Sequence, residues 1–167
     1  MASGSWDNTI RIWDVGSGNV QATLNVGQFG VESLAFSPDG KKLASGLDGN
    51  EVKLWDVSTH KEKTLLDNLS QCTRSIVVFS PDGKTLASGG TWIHEIRLFD
   101  LEAGKQTIAL KGEGAFDVKA ISFLQNSKIL ASLDNKGVLK LLDRSFLVRI
   151  YPGVRVDIEA SVCSSID

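Results

Sequence analysis

A repeat with a period of about 43 residues constrains this chain more than any other feature of its sequence. Four similar segments recur: TIRIWD at 9–14, EVKLWD at 51–56, EIRLFD at 95–100 and VLKLLD at 138–143. Aligned on their fifth residues, successive segments lie 42, 44 and 43 positions apart, at Trp13, Trp55, Phe99 and Leu142. Such a period is typical of arrays in which each unit is one supersecondary element that stacks on its neighbours.

Two further landmarks keep the same spacing. The tripeptide ASG begins at residues 2, 44 and 87, and ASL begins at 131. The pentapeptide SPDGK occurs at 37–41 and 80–84. Its Pro-Asp-Gly core favours a tight turn, because proline fixes φ and glycine accepts conformations that other residues resist. The sequence therefore predicts a tight turn at a fixed place in the unit.

The hydrophobic pattern inside the units predicts β-strands. Ile10 and Ile12 alternate with Arg11, and this period of two indicates a strand with one buried face. The segments 33–37 and 76–80 are nearly continuously apolar, as expected of strands buried on both faces. With the ASG strand and a more polar outer strand, each unit is predicted to hold four strands. A basic residue recurs within the third strands, and a solvated strand face is expected for Arg11, Lys53, Arg97 and Lys140.

These residues and their spacing resemble the WD-repeat (WD40) family, whose units of about 40–45 residues each supply the four strands of a propeller blade. The resemblance covers essentially the whole chain and is weakest in the fourth unit, where VLKLLD lacks the aromatic residue. It implies an all-β fold of about four WD40-type β-propeller blades, which form a partial or open propeller. The predicted units of this single array, 1-167, are 1-26, 27-68, 69-111 and 112-154, with 155-167 as the start of a further blade or a closing strand.

In the family, a histidine, a Ser or Thr, an aspartate and the tryptophan form a hydrogen-bonded network inside a blade. The serine position is filled in all four units, by Ser3, Ser45, Ser88 and Ser132. The usual Gly-His pair is replaced by Gly27-Gln28 and by Gly112-Glu113. We therefore expect no blade to have the complete network, so that hydrophobic packing between blades carries the stability.

The chain begins and ends at almost the same point of the repeat. The first ASG falls on a second strand, and 158–163 aligns with a first strand. Stacked units expose a blade face at each end of an open array, so something must cover these faces. Three alternatives remain open: a fragment of a larger propeller or an open array, two copies that pair into an eight-bladed ring, and a small closed ring.

The composition indicates an ordinary soluble protein. Charged residues make up 23% and the net charge is −2, so no basic excess is present to bind nucleic acid, and neither nucleic acid nor a membrane is expected as a partner. No apolar run approaches the roughly 20 residues of a membrane span, and no export signal is recognised. The two cysteines, Cys72 and Cys163, are far apart, which predicts reduced thiols in a cytoplasmic protein.

The sequence offers few groups for catalysis. Its only histidines, His60 and His94, lie in predicted loops, and neither is near a nucleophile motif. The aspartates after the third strands recur in every unit and are interpreted as turn-forming residues: Asp14, Asp56, Asp100 and Asp143. We therefore predict a protein that is not an enzyme, with no catalytic residue, no cofactor and no metal site.

Partners of WD-repeat proteins usually meet the loops that line the top face of the propeller. At the matching positions, the resemblance implies a set of candidate protein-binding residues: Trp6, Asp7, Phe29, Glu32, Arg74, Trp92, His94, Phe116 and Lys119. Trp6 and Trp92 matter most, because exposed tryptophan is typical of binding hot spots. The alternative is that each tryptophan packs against a neighbouring blade.

The predicted function is a non-catalytic protein–protein interaction scaffold that binds peptides or protein domains through its top-face loops. The alternative is a structural or sensing repeat region of a larger multidomain protein, that is, part of a seven- or eight-bladed propeller. A homodimer that completes a ring is a further possible arrangement.

Overall fold

The computed structural model describes residues 1–49, 51–66, 74–91, 95–111, 117–124, 129–143 and 148–151. Every regular element in these ranges is a β-strand. The first seven strands are β1 (Ala2–Gly4), β2 (Thr9–Trp13), β3 (Val20–Asn25), β4 (Val31–Phe36), β5 (Lys42–Leu47), β6 (Val52–Asp56) and β7 (Glu62–Leu66). The next eight are β8 (Ser75–Phe79), β9 (Thr85–Gly90), β10 (Glu95–Asp100), β11 (Lys105–Lys111), β12 (Val118–Phe123), β13 (Ile129–Asp134), β14 (Leu139–Asp143) and β15 (Val148–Tyr151).

The strands form four antiparallel sheets that follow one another along the chain. Sheet A has the order β1-β2-β3, sheet B β4-β5-β6-β7, sheet C β8-β9-β10-β11 and sheet D β12-β13-β14-β15. Each strand therefore pairs with its neighbour in sequence, as short turns between antiparallel strands allow. The predicted all-β fold of blade-like sheets is confirmed, and sheet A has three described strands where the others have four.

A hydrogen bond between the second and third strands explains why serine and tryptophan recur together. The Trp55 indole N–H donates to the Ser45 hydroxyl at 2.9 Å, and Trp13 donates to Ser3 at the same distance. Phe99 is the equivalent residue of sheet C, and its side chain has no N–H group to donate. There the Ser88 hydroxyl lies 3.2 Å from the hydroxyl of Ser75 on the inner strand.

The aspartates that end the third strands shape the turns that follow. Asp56 accepts hydrogen bonds from the backbone N–H groups and hydroxyls of Ser58 and Thr59 at 2.7–3.0 Å. Asp14 accepts from Ser17 in the same way. Aspartate side chains commonly organise turns by bonding to backbone N–H groups two or three residues ahead. The interpretation of these residues as turn-forming is confirmed for both.

Three apolar clusters lie between neighbouring sheets. The first joins sheets A and B through residues such as Ile10 and Trp55. The second joins B and C through Val52 and Phe99, and the third joins C and D, with Ile96 among its residues. Burial of apolar surface between units is how stacked repeats gain their stability. The core therefore consists of interfaces between sheets.

The glycine of each ASG segment lets the next inner strand approach closely. A Cβ on Gly46 would lie only 2.9 Å from the backbone carbonyl carbon of Ser75, and one on Gly89 would lie 2.7 Å from Cδ1 of Ile121. A Cβ on Gly4 would overlap Val31. Leu133 occupies the corresponding position of sheet D. Three of the four sheets thus need a residue without a side chain here.

The expectation that the basic residues of the third strands lie on solvated faces is wrong for Lys53. This residue is 8% exposed, and its Nζ donates to the Val26 carbonyl of sheet A at 2.9 Å. Glu51 and Glu62 lie 3.4 and 3.3 Å from the same nitrogen. The reason is that sheet A covers this face of sheet B, so the side of β6 that carries its polar residue is also buried. A buried ammonium group needs such acceptors to offset its lost hydration.

Replacing Gly46 by alanine is expected to lower the free energy of unfolding by about 1–3 kcal/mol, since the new methyl group would overlap the backbone of the next sheet. Gly16→Ala is the matched control, because a Cβ there meets only Asp14 Oδ1 at 3.4 Å. Urea unfolding followed by circular dichroism measures both. Equal midpoints for the two variants would show that the sheets do not need the glycine.

Ser45→Ala is expected to cost about 1–3 kcal/mol, because the buried Trp55 N–H would lose its acceptor. Ser3→Ala removes a bond of the same length from a partly buried pair, where water can replace the hydroxyl, and should cost less. Comparing the two variants by urea unfolding tests whether burial sets the difference. The idea fails if Ser3→Ala is the more damaging change.

The turn after β6 predicts a pH dependence of stability. Hydrogen bonds from the Ser58 hydroxyl and from the backbone N–H and hydroxyl of Thr59 lower the pKa of Asp56 from 3.8 to about 2. A carboxyl with a lower pKa in the folded chain stabilises the fold above its unfolded pKa, and that contribution is lost as pH falls towards the folded pKa. Wild type should therefore exceed Asp56→Asn in urea midpoint at neutral pH, and the gap should close between about pH 4 and pH 2. A gap independent of pH would contradict this.

Candidate functional site

The loops proposed to bind partners come together at one end of the sheets, which we call the top face. It comprises the turns between second and third strands and the segments that lead into the inner strands. The backbone N–H of Asp48 donates to the Gly30 carbonyl at 2.9 Å, and Val31 donates to Ser5 at 3.1 Å. In sheet C, Thr91 donates to the Arg74 carbonyl at 3.2 Å. These bonds join loops within sheets and across the boundary between sheets A and B.

Among the described residues, Trp6 is the most exposed large apolar side chain of the top face. It lies in the turn between β1 and β2 and is 67% exposed. A Cβ on Gly30 would lie 3.2–3.3 Å from the Trp6 Cα, Cδ2 and Cε3, so the indole rests against the backbone of a buried glycine from the next sheet. One side of the ring is thus supported while most of the side chain remains in solvent.

Phe29 is a half-buried residue of the segment that leads into β4, on the same face. Its side chain packs against the apolar cluster between sheets A and B. A Cβ on Gly49 would lie 3.2–3.3 Å from the phenyl ring, and Gly49 has a φ of +81°, which favours glycine. Phe29 therefore serves mainly to anchor its loop, with part of its ring left at the surface.

Asp7 is engaged by its own turn. It accepts hydrogen bonds from the backbone N–H and hydroxyl of Thr9 at 3.0 and 2.5 Å, and the Arg11 guanidinium lies 3.3 Å away. The Thr9 hydroxyl is the main cause of its lowered pKa. The carboxylate is therefore ionised at neutral pH and holds the turn that presents Trp6.

Glu32 is a nearly buried carboxyl in an irregular part of the first described inner strand. The pairing of β4 with β5 shifts between Val31 and Ser33, so Glu32 lies in a β-bulge. Its side chain is 11% exposed, and Oε2 lies 3.8 Å from Nε of the exposed Arg74. Burial raises its pKa, the Arg74 charge lowers it and Asp48 raises it further. Within the described part of the chain, Glu32 Oε1 has no hydrogen-bond partner.

Lys119 occupies the same structural position on the inner strand of sheet D. The pairing of β12 with β13 shifts between Val118 and Ala120, so Lys119 also lies in a bulge and is exposed. Bulges commonly redirect a side chain away from the regular alternation of a strand. The inner strands of sheets B and D thus present an acidic and a basic residue at equivalent places.

The structure places six of the nine sequence-predicted residues on this end of the sheets. The other three, Trp92, His94 and Phe116, lie outside the described residues. Sequence reasoning missed Gly30 and Asp48, which support Trp6 and add negative charge beside Glu32. No sequence signal indicated that Gly30 would lie beneath a tryptophan.

The described residues contain neither a cluster of metal-ligating side chains nor a membrane-spanning helix. No group of three or more His, Cys, Asp or Glu side chains among them is arranged to hold a metal ion. In the same part of the chain, no helix has the length and apolar character needed to cross a membrane.

Comparison with known proteins identifies the repeats. The family described as "WD domain, G-beta repeat" matches residues 1–14 and 18–56. The WD40 repeat protein poxJ of Penicillium oxalicum is 30% identical over 138 residues, which are 79% of this chain and 39% of that protein. The WD repeat-containing protein 26 homolog of Drosophila melanogaster is 33% identical over 128 residues, 73% of this chain and 20% of that protein.

A third relative matches a shorter stretch at higher identity. The periodic tryptophan protein 2 homolog of Schizosaccharomyces pombe is 44% identical over 69 residues, 40% of this chain and 8% of that protein. The chain thus spans less than half the length of each of these three relatives. Together with the four successive antiparallel sheets, these matches show that the chain is a WD40-repeat protein.

Proposed function

We propose that this protein is a non-catalytic scaffold that binds peptides or protein domains through the loops of its top face. One observation carries the proposal: Trp6 is 67% exposed although its ring is fixed against Gly30. A rigid, exposed indole contributes a large apolar area to a partner and loses little conformational entropy on binding. WD40-repeat relatives support a role in protein interaction in general.

Charges around the tryptophan support a partner with polar groups as well. Glu32 has one carboxylate oxygen without a hydrogen-bond partner in the described structure, and Arg74 is exposed beside it. Asp7 is ionised, and Lys119 adds a positive charge on another inner strand. An apolar anchor surrounded by polar residues is the usual composition of a protein-binding surface. Trp92, His94 and Phe116 remain candidate members of this surface from the sequence.

Several finer statements about function remain predictions from the sequence. The net charge of −2 argues against nucleic acid as a partner. The absence of an enzymatic activity and a cytoplasmic location are proposed on the family resemblance and on the cysteine content. A homodimer would use the flanks of the array, so it is independent of the top face.

A structural or sensing role within a larger protein is the second candidate function. The observation that favours it is the length of the relatives, since the aligned regions are 8–39% of three of them. In that role the sheets would transmit or restrain movement, and Trp6 would pack against another part of the same protein.

Trp6→Ala is expected to reduce capture of partners at least about tenfold, because alanine at a binding hot spot typically costs 2 kcal/mol or more. The circular dichroism spectrum and urea midpoint should not change, since the side chain is mostly exposed. Leu124→Ala is a matched control at an exposed apolar residue that directly follows β12, at the end of this strand away from the top face. Affinity capture from a cell extract with quantitative mass spectrometry compares the three proteins.

The outcome distinguishes the two candidate functions. Proteins that are retained by wild type and by Leu124→Ala but lost by Trp6→Ala support a top-face scaffold. Equal capture by all three proteins would contradict it. Loss of folding in Trp6→Ala would assign the tryptophan to packing instead.

A further inference from the structure

Three aspartate–glycine bonds occur in the chain, and the structure gives one of them a different environment from the other two. They are Asp39-Gly40, Asp48-Gly49 and Asp82-Gly83. An aspartate before glycine can form a succinimide when the backbone nitrogen of the glycine attacks the side-chain carboxyl carbon, since glycine has no Cβ to hinder the approach. The rate of such a reaction depends on how closely the two reacting atoms are held together.

Asp39 and Asp82 lie in the SPDGK turns, where other groups hold their carboxylates. Asp39 Oδ1 accepts from the Ser37 hydroxyl at 2.6 Å and from the Lys41 backbone N–H at 3.1 Å. Asp82 Oδ1 accepts from the equivalent serine hydroxyl and lysine N–H at 2.6 and 3.0 Å. In both turns the carboxylate is therefore bound to a nitrogen two residues ahead and not to the nitrogen of the adjacent glycine.

The hydroxyl bond also affects the chemical state of the first of these carboxyls. The Ser37 hydroxyl is the main cause of the lowered pKa of Asp39. A lower pKa reduces the protonated fraction at neutral pH, and the protonated carboxyl is the form that a nucleophile attacks. Asp39 is therefore protected by its charge as well as by its geometry.

Asp48 lies in the turn between β5 and β6, and its carboxylate faces the adjacent glycine. The Gly49 backbone N–H donates to Asp48 Oδ1 at 2.9 Å. Because Oδ1 is bonded directly to the carboxyl carbon, the nitrogen lies beside the atom that it would attack. This is the arrangement that the two SPDGK turns lack.

Neighbouring residues hold the Asp48-Gly49 turn in this arrangement. Gly49 is buried and has a φ of +81°. A Cβ on it would lie 3.2–3.3 Å from the ring of Phe29, and the Asp48 N–H donates to the Gly30 carbonyl at 2.9 Å. The nitrogen and the carboxyl carbon are therefore kept close together, whereas in a flexible loop they would meet only occasionally.

We propose that Asp48-Gly49 is a site of spontaneous succinimide formation and isomerisation, which the other two aspartate–glycine bonds resist. The Gly49 nitrogen forms a bond to the carboxyl carbon of Asp48 in its protonated form. The proton of the nitrogen and the hydroxyl group of the carboxyl leave together as one water molecule. Another water then opens the ring at either carbonyl, which gives aspartate or isoaspartate. The inference rests on the turn alone and does not depend on the scaffold function.

Isoaspartate at this position would alter the top face, because it adds one methylene group to the backbone of an anchored turn. The Leu47 N–H donates to the Glu51 carbonyl at 2.9 Å across the turn, and Asp48 donates to Gly30. The longer backbone must displace at least one of these bonds. Modified molecules are therefore expected to have a lower urea midpoint than unmodified ones.

Prolonged incubation of the wild-type chain at neutral pH, in water enriched in the heavy oxygen isotope, tests the site. Each opening of a succinimide adds one heavy oxygen atom to the aspartate. Trypsin separates the three aspartate–glycine bonds into different peptides, since lysine residues lie between them. Label is expected to accumulate at Asp48 at least about tenfold faster than at Asp39 or Asp82. Equal labelling of the folded chain, or none at Asp48, overturns the proposal.

Unfolding the chain separates the effect of structure from that of sequence. In guanidinium chloride the three bonds should take up label at similar rates, because no turn holds the reacting atoms together. A preference for Asp48 that persists in the unfolded chain would assign the selectivity to the neighbouring sequence and overturn the structural argument.

Asp48→Asn and Asp39→Asn form a matched pair of variants. An asparagine reacts by the same route with loss of ammonia, and the product is recognised by its change in mass and charge. Asp48→Asn should deamidate at least about tenfold faster than Asp39→Asn, with circular dichroism confirming that both variants fold. Equal rates, or the reverse order, would contradict the proposed site.

Discussion

The close approach of successive sheets is the contact on which the whole structure depends. Each apolar cluster draws its residues from two sheets, so no sheet has a core of its own. Gly4, Gly46 and Gly89 make this approach possible, because a side chain at any of them would overlap the next inner strand. Because hydrophobic burial scales with the area removed from water, a small separation of the sheets would weaken every cluster along that boundary.

Polar groups that cross the same boundaries fix how the sheets align. The Ser33 hydroxyl donates to the Ser75 carbonyl at 2.7 Å and accepts from the Val77 N–H at 3.1 Å, which satisfies backbone groups at the edge of sheet C. Lys53 performs the corresponding role between sheets A and B. Leaving a buried polar group without a partner costs more free energy than its hydrogen bond contributes to stability. These hydrogen bonds therefore act mainly by disfavouring other alignments of the sheets.

The sequence was sufficient to predict the repeat, the order of the strands and the turns formed by the aspartates, because these depend on residues close together along the chain. The Ser–Trp hydrogen bond was implied by the resemblance to the WD-repeat family. Sequence reasoning failed at Lys53, because a period of two assigns alternate residues to opposite faces but does not tell whether the second face meets solvent or another sheet. The bulge at Glu32 was also beyond sequence reasoning, since nothing in VESLAF distinguishes a bulge from a regular strand. For the candidate site, the loops were predictable, but the support of Trp6 by Gly30 was not.

The top face inherits its geometry from the contact between sheets. Trp6 belongs to a turn of sheet A, whereas Gly30 leads into the inner strand of sheet B, and the bond from Val31 to Ser5 ties the two segments together. The indole is therefore held in place only while the two sheets are packed. Partner binding at such a surface is coupled to the stability of the boundary between sheets A and B. A partner that binds Trp6 and the residues around Glu32 would therefore also stabilise the stacking of these two sheets.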